Sequence, residues 1–199
     1  MQRIIYLARH GETSWNREGR WQGHTDIALN EAGLAQARAL GEFLRARTIG
    51  RGIARIYASD LARARQTAEA AAAILGVTEI VVDAALRERS FGIFEGLTRG
   101  ECAQRHPDHW RGYRSDPSLV PPGAESQDAL AARMQQAVAR AVVRRNADDD
   151  APVLIVSHGG SIRTLIARAT GTMPPPLENG AVFSATVVAG ALRDVACLT

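Results

Sequence analysis

The sequence predicts an α/β protein, a three-layer αβα sandwich with a mostly parallel central sheet. Three observations lead there. Short β-branched apolar runs alternate with longer segments of helical period over all 199 residues. Runs such as 4–7 and 153–156 are apolar throughout, as strands covered on both faces must be. Four strand-to-helix junctions carry polar residues, the layout of strands that end together at one edge of a parallel sheet.

Taken in order, residues 4–7 (Ile-Ile-Tyr-Leu) form the first strand, which stops at Arg9, His10 and Gly11. A polar loop over 12–30 carries Trp15, Asn16, Arg20, Trp21, Gln22, Gly23 and His24. Asn30 suits the N-cap of a helix over 31–47, with Leu34, Ala37, Gly41 and Leu44 on one face and Gly50 and Gly52 closing it. A second strand spans 53–58. Ser59 and Asp60 then read as the cap of a helix over 61–75, whose stripe is Leu61, Ala64, Ala68, Ala71 and Leu75, with Gly76 ending it. A short strand, 80–82, leads to Leu86, Arg87 and Glu88. The stretch 92–125, rich in Gly, Pro and aromatics, has room for one or two short helices, and a connection of that length in a compact domain usually binds something or covers it. A long helix over 126–146 turns Leu130, Met134, Ala137 and Ala141 inward, and 148–152 reads as a solvated turn. Strand 153–156 ends at Ser157, His158, Gly159 and Gly160, with a helix starting near Ser161; Pro174, Pro175 and Pro176 break the chain, and 182–189 with 192–198 form a closing pair of strands. No repeat or linker interrupts this order, so one domain over 1–199 is expected, with 92–125 as its lid and specificity segment.

Composition excludes several chemistries. All 24 basic side chains are Arg and none is Lys, which removes Schiff-base catalysis and the phosphate-binding Lys of a P-loop. The net charge of +3 is spread along the chain, so nucleic acid is not an expected partner. No apolar run approaches the ~18 residues of a membrane span, and the chain enters a strand directly, so a cytoplasmic location with no membrane partner is expected. Cys102 and Cys197 are far apart and outside any C-x-x-C arrangement, which argues against a disulfide or a zinc site. Cys102 also lacks the Arg six residues later that a Cys-based phosphatase loop requires. Oligomeric state is left open.

The four polar junctions are Arg9-His10-Gly11, Ser59 to Arg63, Arg87-Glu88-Arg89 and Ser157 to Gly160. Gathered at one sheet edge, two His, several Arg, a carboxylate and helix N-termini suit a phosphoryl group. An imidazole can attack phosphorus, guanidinium groups can neutralise its oxygens, and a carboxyl group can move a proton. Simpler readings stand beside this one. Glu88 could form a surface ion pair with Arg87 or Arg89. Arg65 competes with Arg63, although Arg63 lies in the first helical turn, nearer the ligand edge. His106 and His109 have the i, i+3 spacing of metal ligands but no carboxylate or Cys partner, so they read as surface of the lid and no metal is expected. Trp15, Trp21 and Trp110 could line the mouth or pack as core. Arg111 and Arg114 fit either an acidic substrate tail or solvated charge.

Arg9-His10-Gly11-Glu12-Thr13, Trp15-Asn16, Gln22-Gly23, the run from Ser59 to Ala68, Leu86-Arg87-Glu88, Glu95-Gly96, Pro122 to Ser126 and Ser157-His158-Gly159-Gly160, with Asn179 as a further match, resemble the histidine phosphatase (phosphoglycerate mutase-like) superfamily, in order and over nearly the whole chain. The resemblance implies that His10 becomes a phosphohistidine and that Arg9, Arg63 and His158 hold the phosphoryl oxygens, with His158 as a cation. It implies Asn16 and the Gly159 backbone as lesser donors, Gln22 and Gly23 as substrate-binding residues, and Glu88 as general acid and then general base. His10 needs a neutral attacking nitrogen, so its other ring nitrogen should donate to a backbone carbonyl. The compact length, the Gln22-Gly23 pair and the short, Arg-poor 92–125 segment look like the family's small phosphatases, acting without a cofactor on a small phosphorylated metabolite. The alternatives are a 2,3-bisphosphoglycerate-dependent mutase, with that bisphosphate as cofactor, and a non-catalytic phosphate binder of the same fold.

Overall fold

The computed structural model describes residues 2–116, 118–143 and 150–199. Strands β1 (Gln2–Arg9), β2 (Arg55–Ala58), β3 (Ile80–Val82), β4 (Val153–Ser157), β5 (Val182–Val188) and β6 (Ala191–Cys197) form one sheet in the order β3-β2-β4-β1-β5-β6. The first four neighbours in that order run parallel, and β5 and β6 close the sheet antiparallel. The expected α/β architecture is therefore present, and the carboxyl ends of β1, β2, β3 and β4 share one edge.

Because successive strand side chains point to opposite faces, each parallel strand feeds two cores. Ile5, Leu7, Val153 and Ile155 meet Leu130, Met134 and Ala137 of α6 (Gln127–Ala141) and Ile162, Leu165 and Ile166 of α7 (Gly159–Thr170). Tyr6, Ala8, Leu154 and Val156 meet Leu40 and Leu44 of α2 (Glu31–Arg47) and Ala64, Ala68 and Ala71 of α3 (Ala62–Leu75). Gly11 and Gly33 let the turn after β1 touch the start of α2: a Cβ on Gly11 would lie 2.3 Å from the Gly33 carbonyl oxygen, which no side chain can share.

Asn30 caps α2 as expected, its Oδ1 accepting from the Gly33 N–H at 2.8 Å. The cap of α3 differs. The Ala62 N–H is satisfied by Asp26 from the distant 12–30 loop at 2.6 Å, while Asp60 is taken by Arg87. A cap supplied across the fold leaves no local pattern to read. Likewise α7 starts at Gly159, not near Ser161, so His158 itself occupies the N-cap position. Helix α6 ends at Ala141 with Val142 as its C-cap, short of the expected 146; residues 144–146 of that expected helix, and 148–149 of the expected turn, lie outside the described residues.

The 12–30 loop holds a short helix, α1 (Ser14–Glu18), closed by a reciprocal cap between Thr13 and Asn16 that the sequence reading did not anticipate. Within 92–125, helices α4 (Arg99–Arg105) and α5 (Pro107–Ser115) fold around a small cluster of their own, in which Phe94, Leu97 and Cys102 are buried beneath Trp21, Phe91, Trp110 and Tyr113. Among the described residues no helix is long and apolar enough to cross a membrane.

Candidate active site

The parallel pairing of β1 with β4 builds the centre of the site. Arg9 stands opposite Ser157, and the His10 N–H donates to the Ser157 carbonyl at 3.0 Å, so the next residue on each strand brings an imidazole to the same place. The His10 and His158 rings lie 5.1 Å apart, edge to face. His10 Nδ1 sits 2.7 Å from the Gly11 carbonyl oxygen. A carbonyl only accepts, so Nδ1 carries the hydrogen and Nε2 keeps its lone pair. Burial above all, then the charges of Arg63 and Arg9, hold the His10 pKa well below the ordinary 6.5. His10 is therefore a neutral imidazole at physiological pH, with the Nε2 lone pair free.

Arg63, in the first turn of α3, is wholly buried. It donates to the Thr25 carbonyl at 2.8 Å, to the Gly23 carbonyl at 2.8 Å and, through Nε, to His158 Nδ1 at 3.2 Å. Burial lowers its pKa to about 10, which leaves it protonated at neutral pH. Since a guanidinium cannot accept, Arg63 makes His158 Nδ1 the acceptor and Nε2 the N–H. Burial, reinforced by Arg63, His10, Arg9 and Arg133, also keeps the His158 pKa well below 6.5. The expected cation is thus a neutral donor: charging it would add a positive group beside the guanidinium groups already present. Arg65, the rival, is exposed.

Two buried donors here have no hydrogen-bond partner, His158 Nε2 and Arg9 Nε. Arg9 is anchored through Nη1 to the Leu177 carbonyl, and burial lowers its pKa against the opposing pull of Glu88 and Glu178. Unpaired buried donors are costly and require an explanation; beside a neutral nucleophile, an anion with several oxygens supplies one.

Glu88 follows a 3₁₀ turn at Ala84–Leu86. Its carboxylate accepts from the N–H groups of Arg89 (2.8 Å) and Gly160 (2.9 Å) and from Ser161 Oγ (3.1 Å). A Cβ on Gly160 would come within 2.6 Å of Glu88 Oε1, so this approach to the start of α7 needs glycine. Arg87 is committed elsewhere, gripping Asp60 at 2.8 and 2.6 Å. Asn16 Oδ1 accepts from Thr13 and from Asn179 Nδ2 at 3.2 Å, which leaves the Asn16 amide nitrogen as its donor. Asn179 also donates to the His10 carbonyl at 3.1 Å, tethering the nucleophile's backbone.

A cleft of about 310 Å³ brings together Arg9, His10, Asn16, Gln22, Gly23, Arg63, Glu88 and Gly159. His158 is not among the residues that line the cleft; it is fully buried with its ring edge to face against His10. Gln22 is nearly buried with Oε1 unpaired, and Gly159 packs against Arg9. The outer wall holds residues the sequence reading did not assign to the site: Arg20, Phe91, Arg99, Arg163 and Leu177, with Trp21 among them as one of the three candidate tryptophans. Arg163 could have been found from its place on the helix that begins at His158. Arg20 and Arg99 could not, since only folding brings them to the cleft. Arg20 is neutralised by Glu18 and Glu101, each at 2.6 Å. Trp15 and Trp110 stand away from the cleft, and Arg111 and Arg114 face an exposed groove instead. Among the described residues no cluster of three or more His, Cys, Asp or Glu could hold a metal ion.

A neutral imidazole at a parallel-sheet edge, ringed by guanidinium groups and faced by a carboxyl group, is an arrangement suited to phosphoryl transfer. The chain belongs to the histidine phosphatase superfamily (branch 1), whose family model matches residues 5–190. It is 39% identical over 167 residues to phosphoglycerate mutase-like protein 4 of Arabidopsis thaliana, covering 83% of this chain and 70% of that one. It is 35% identical over 192 residues to a metal-independent phosphoserine phosphatase of the same plant, covering 96% and 76% of the two chains. The solved structure of a mycobacterial glucosyl-3-phosphoglycerate phosphatase superposes with a TM-score of 0.83 at 30% identity, over 99% of this chain and 98% of that one. Phosphatase chemistry is thus supported at the level of the family.

Proposed function

We propose that this protein hydrolyses small phosphomonoesters through a phosphohistidine on His10. The observation that carries the reading is the locked pair of tautomers: His10 Nδ1 bound to Gly11 frees Nε2 to attack, and His158 Nδ1 bound to Arg63 leaves an unpaired N–H on Nε2 of the neighbouring ring. His10 Nε2 attacks phosphorus while the ester P–O bond breaks. Arg9, Arg63, His158 and the Asn16 amide hold the phosphoryl oxygens, and protonated Glu88 gives its proton to the departing alkoxide. Water then attacks phosphorus, the Glu88 carboxylate takes a water proton, and the P–N bond breaks to release phosphate and neutral His10. No step in this sequence needs a cofactor.

The leaving group is read from the outer wall. Arg99 and Arg163 face the cleft while the nearby Arg20 is already paired, and Trp21, Phe91 and Leu177 offer apolar surface. That combination favours an alcohol bearing a carboxylate or other acidic group. The phosphoserine and phosphoglycerate esters in the names of the relatives fit the same description.

The test is a panel of phosphorylated metabolites scored separately for free phosphate and for interconversion of 2- and 3-phosphoglycerate, with alkaline-quench labelling for a base-stable, acid-labile phosphoenzyme. Phosphate release with label on His10, both lost in His10→Ala by at least about 10³-fold, is the expected result. Predominant isomerisation would make the protein a mutase. Vanadate binding with no turnover would make it a phosphate binder.

A further inference from the structure

Glu88 is held in place from behind by a residue outside the cleft. Arg133, on α6, uses every hydrogen that a guanidinium has to give. Nε donates to Glu125 Oε1 at 2.7 Å and Nη2 to Glu125 Oε2 at 2.7 Å. Nη1 donates to the carbonyls of Ala85 (2.8 Å) and Arg87 (2.7 Å), and Nη2 to the carbonyl of Glu88 itself (2.8 Å). The remaining carbonyl in that run, Leu86, accepts from Ser157 Oγ at 2.8 Å, and Glu88 accepts a second bond from His24 Nε2 at 2.9 Å. Glu125 completes the frame through its backbone, its N–H donating to Ser90 and its carbonyl accepting from Arg89 Nε at 2.7 Å.

We propose that Arg133, oriented by Glu125, is the positioning residue for the general acid and base: it fixes the peptide planes on either side of Glu88, and so the direction from which the carboxyl group meets the leaving oxygen and the attacking water. The proposal rests on the role given to Glu88 above. The physical case is one of geometry. A run of peptide carbonyls can be gripped by one side chain only if that side chain is planar, rigid and fork-shaped, and the Glu125 carboxylate sets the plane of the fork. A Lys at 133 keeps the charge but has three donors on a flexible stem. It cannot make the bidentate pair and hold three carbonyls together. Proton transfer is sensitive to such loosening, because the acid must be within hydrogen-bond reach of the leaving oxygen at the moment of cleavage.

The discriminating substrate is p-nitrophenyl phosphate, whose leaving group departs without a proton, so that kcat/KM reports attack by His10 and kcat includes hydrolysis of the phosphoenzyme, which needs the Glu88 base. For Arg133→Lys the expected result is a kcat/KM within about 3-fold of the wild type. Its kcat should fall about 10- to 100-fold, with a stoichiometric burst of nitrophenol and accumulation of phosphohistidine. Glu88→Gln should show the same pattern more strongly, and adding Arg133→Lys to it should cost little more. Glu125→Gln, which keeps one oxygen acceptor and the volume, should move in the same direction by less and serves if Arg133→Lys does not fold. Unchanged kinetics, or a parallel loss in kcat, kcat/KM and vanadate affinity without a burst, would overturn the assignment. A wild-type enzyme that forms no phosphohistidine would overturn the proposed function instead, before any variant is made.

Discussion

The two ends of the cleft are built by different means. At the phosphate end, His10, Arg63 and His158 are buried, and their orientation comes from backbone: a strand register, a Gly11 carbonyl, and the carbonyls of Gly23 and Thr25. At the outer end, Phe91 and Arg99 belong to residues 91–115, which pack on a small aromatic cluster of their own and whose helix α5 buries no residue fully, while Arg20, Trp21, Arg163 and Leu177 come from other segments. Polar ties join the two ends, among them Arg20 to Glu101, Thr25 to Glu95 and the backbone exchange of Trp21 with Gly96 and Leu97. The buried polar groups of the inner end are therefore anchored to the sheet, while part of the outer wall sits on a separately packed segment.

The sharpest test of that contrast is Arg63→Met. It removes a charge from the phosphate end and leaves His158 Nδ1 without its donor, so turnover should fall about 10²- to 10³-fold on aryl and alkyl phosphates alike. A loss confined to one substrate class would break the comparison.

Second in size is an effect of pH on stability. Both histidines have folded-state pKa values depressed below 6.5, so the unfolded chain binds their protons first. Stability is at its full value above pH 6.5 and is lost as pH falls through the window below it, by up to about 1.4 kcal/mol per pH unit for each histidine. Denaturant melts from pH 7 to 5 in phosphate-free buffer measure the slope, and His158→Gln should reduce it by about half. The acid limb of kcat/KM should likewise lie below pH 6.5.

Phe94→Ala addresses the other end. Phe94 is fully buried at the centre of the aromatic cluster, and its truncation should destabilise that segment by about 3–5 kcal/mol. Hydrogen exchange should quicken across 91–115 while β1 and β4 remain protected, and KM for acidic substrates should rise with kcat on p-nitrophenyl phosphate changed by no more than about 3-fold. Smallest is Arg99→Gln. As an exposed cation at the cleft mouth it should raise KM for a carboxylate-bearing phosphoester about 5- to 10-fold and leave p-nitrophenyl phosphate untouched.

Legibility in the sequence follows the same division. His10, Arg63 and His158 are legible because each sits where an apolar strand run meets polar residues and a helix start, and such junctions of parallel strands share an edge; Glu88 is legible from its place after the 80–82 strand and from the family resemblance. The Asp26 cap of α3, the Arg20–Glu101 tie and the Arg133 fork escaped notice, because each joins residues whose separation along the chain has no period. The neutral state of His158 lacks a local signature for a related reason: it is the work of burial and of Arg63, and neither adjoins it in sequence.

Strand and helix order, the two faces of each strand and the inventory of phosphate-handling side chains are matters of local pattern, since hydrophobic period and turn chemistry act over a few neighbouring residues. Which tautomer each imidazole adopts, what steadies the carboxyl group at position 88 and which arginines reach the cleft are decided only when the chain closes on itself. Those properties depend on desolvation and on hydrogen bonds between distant segments, and such forces do not exist until the packing that creates them does.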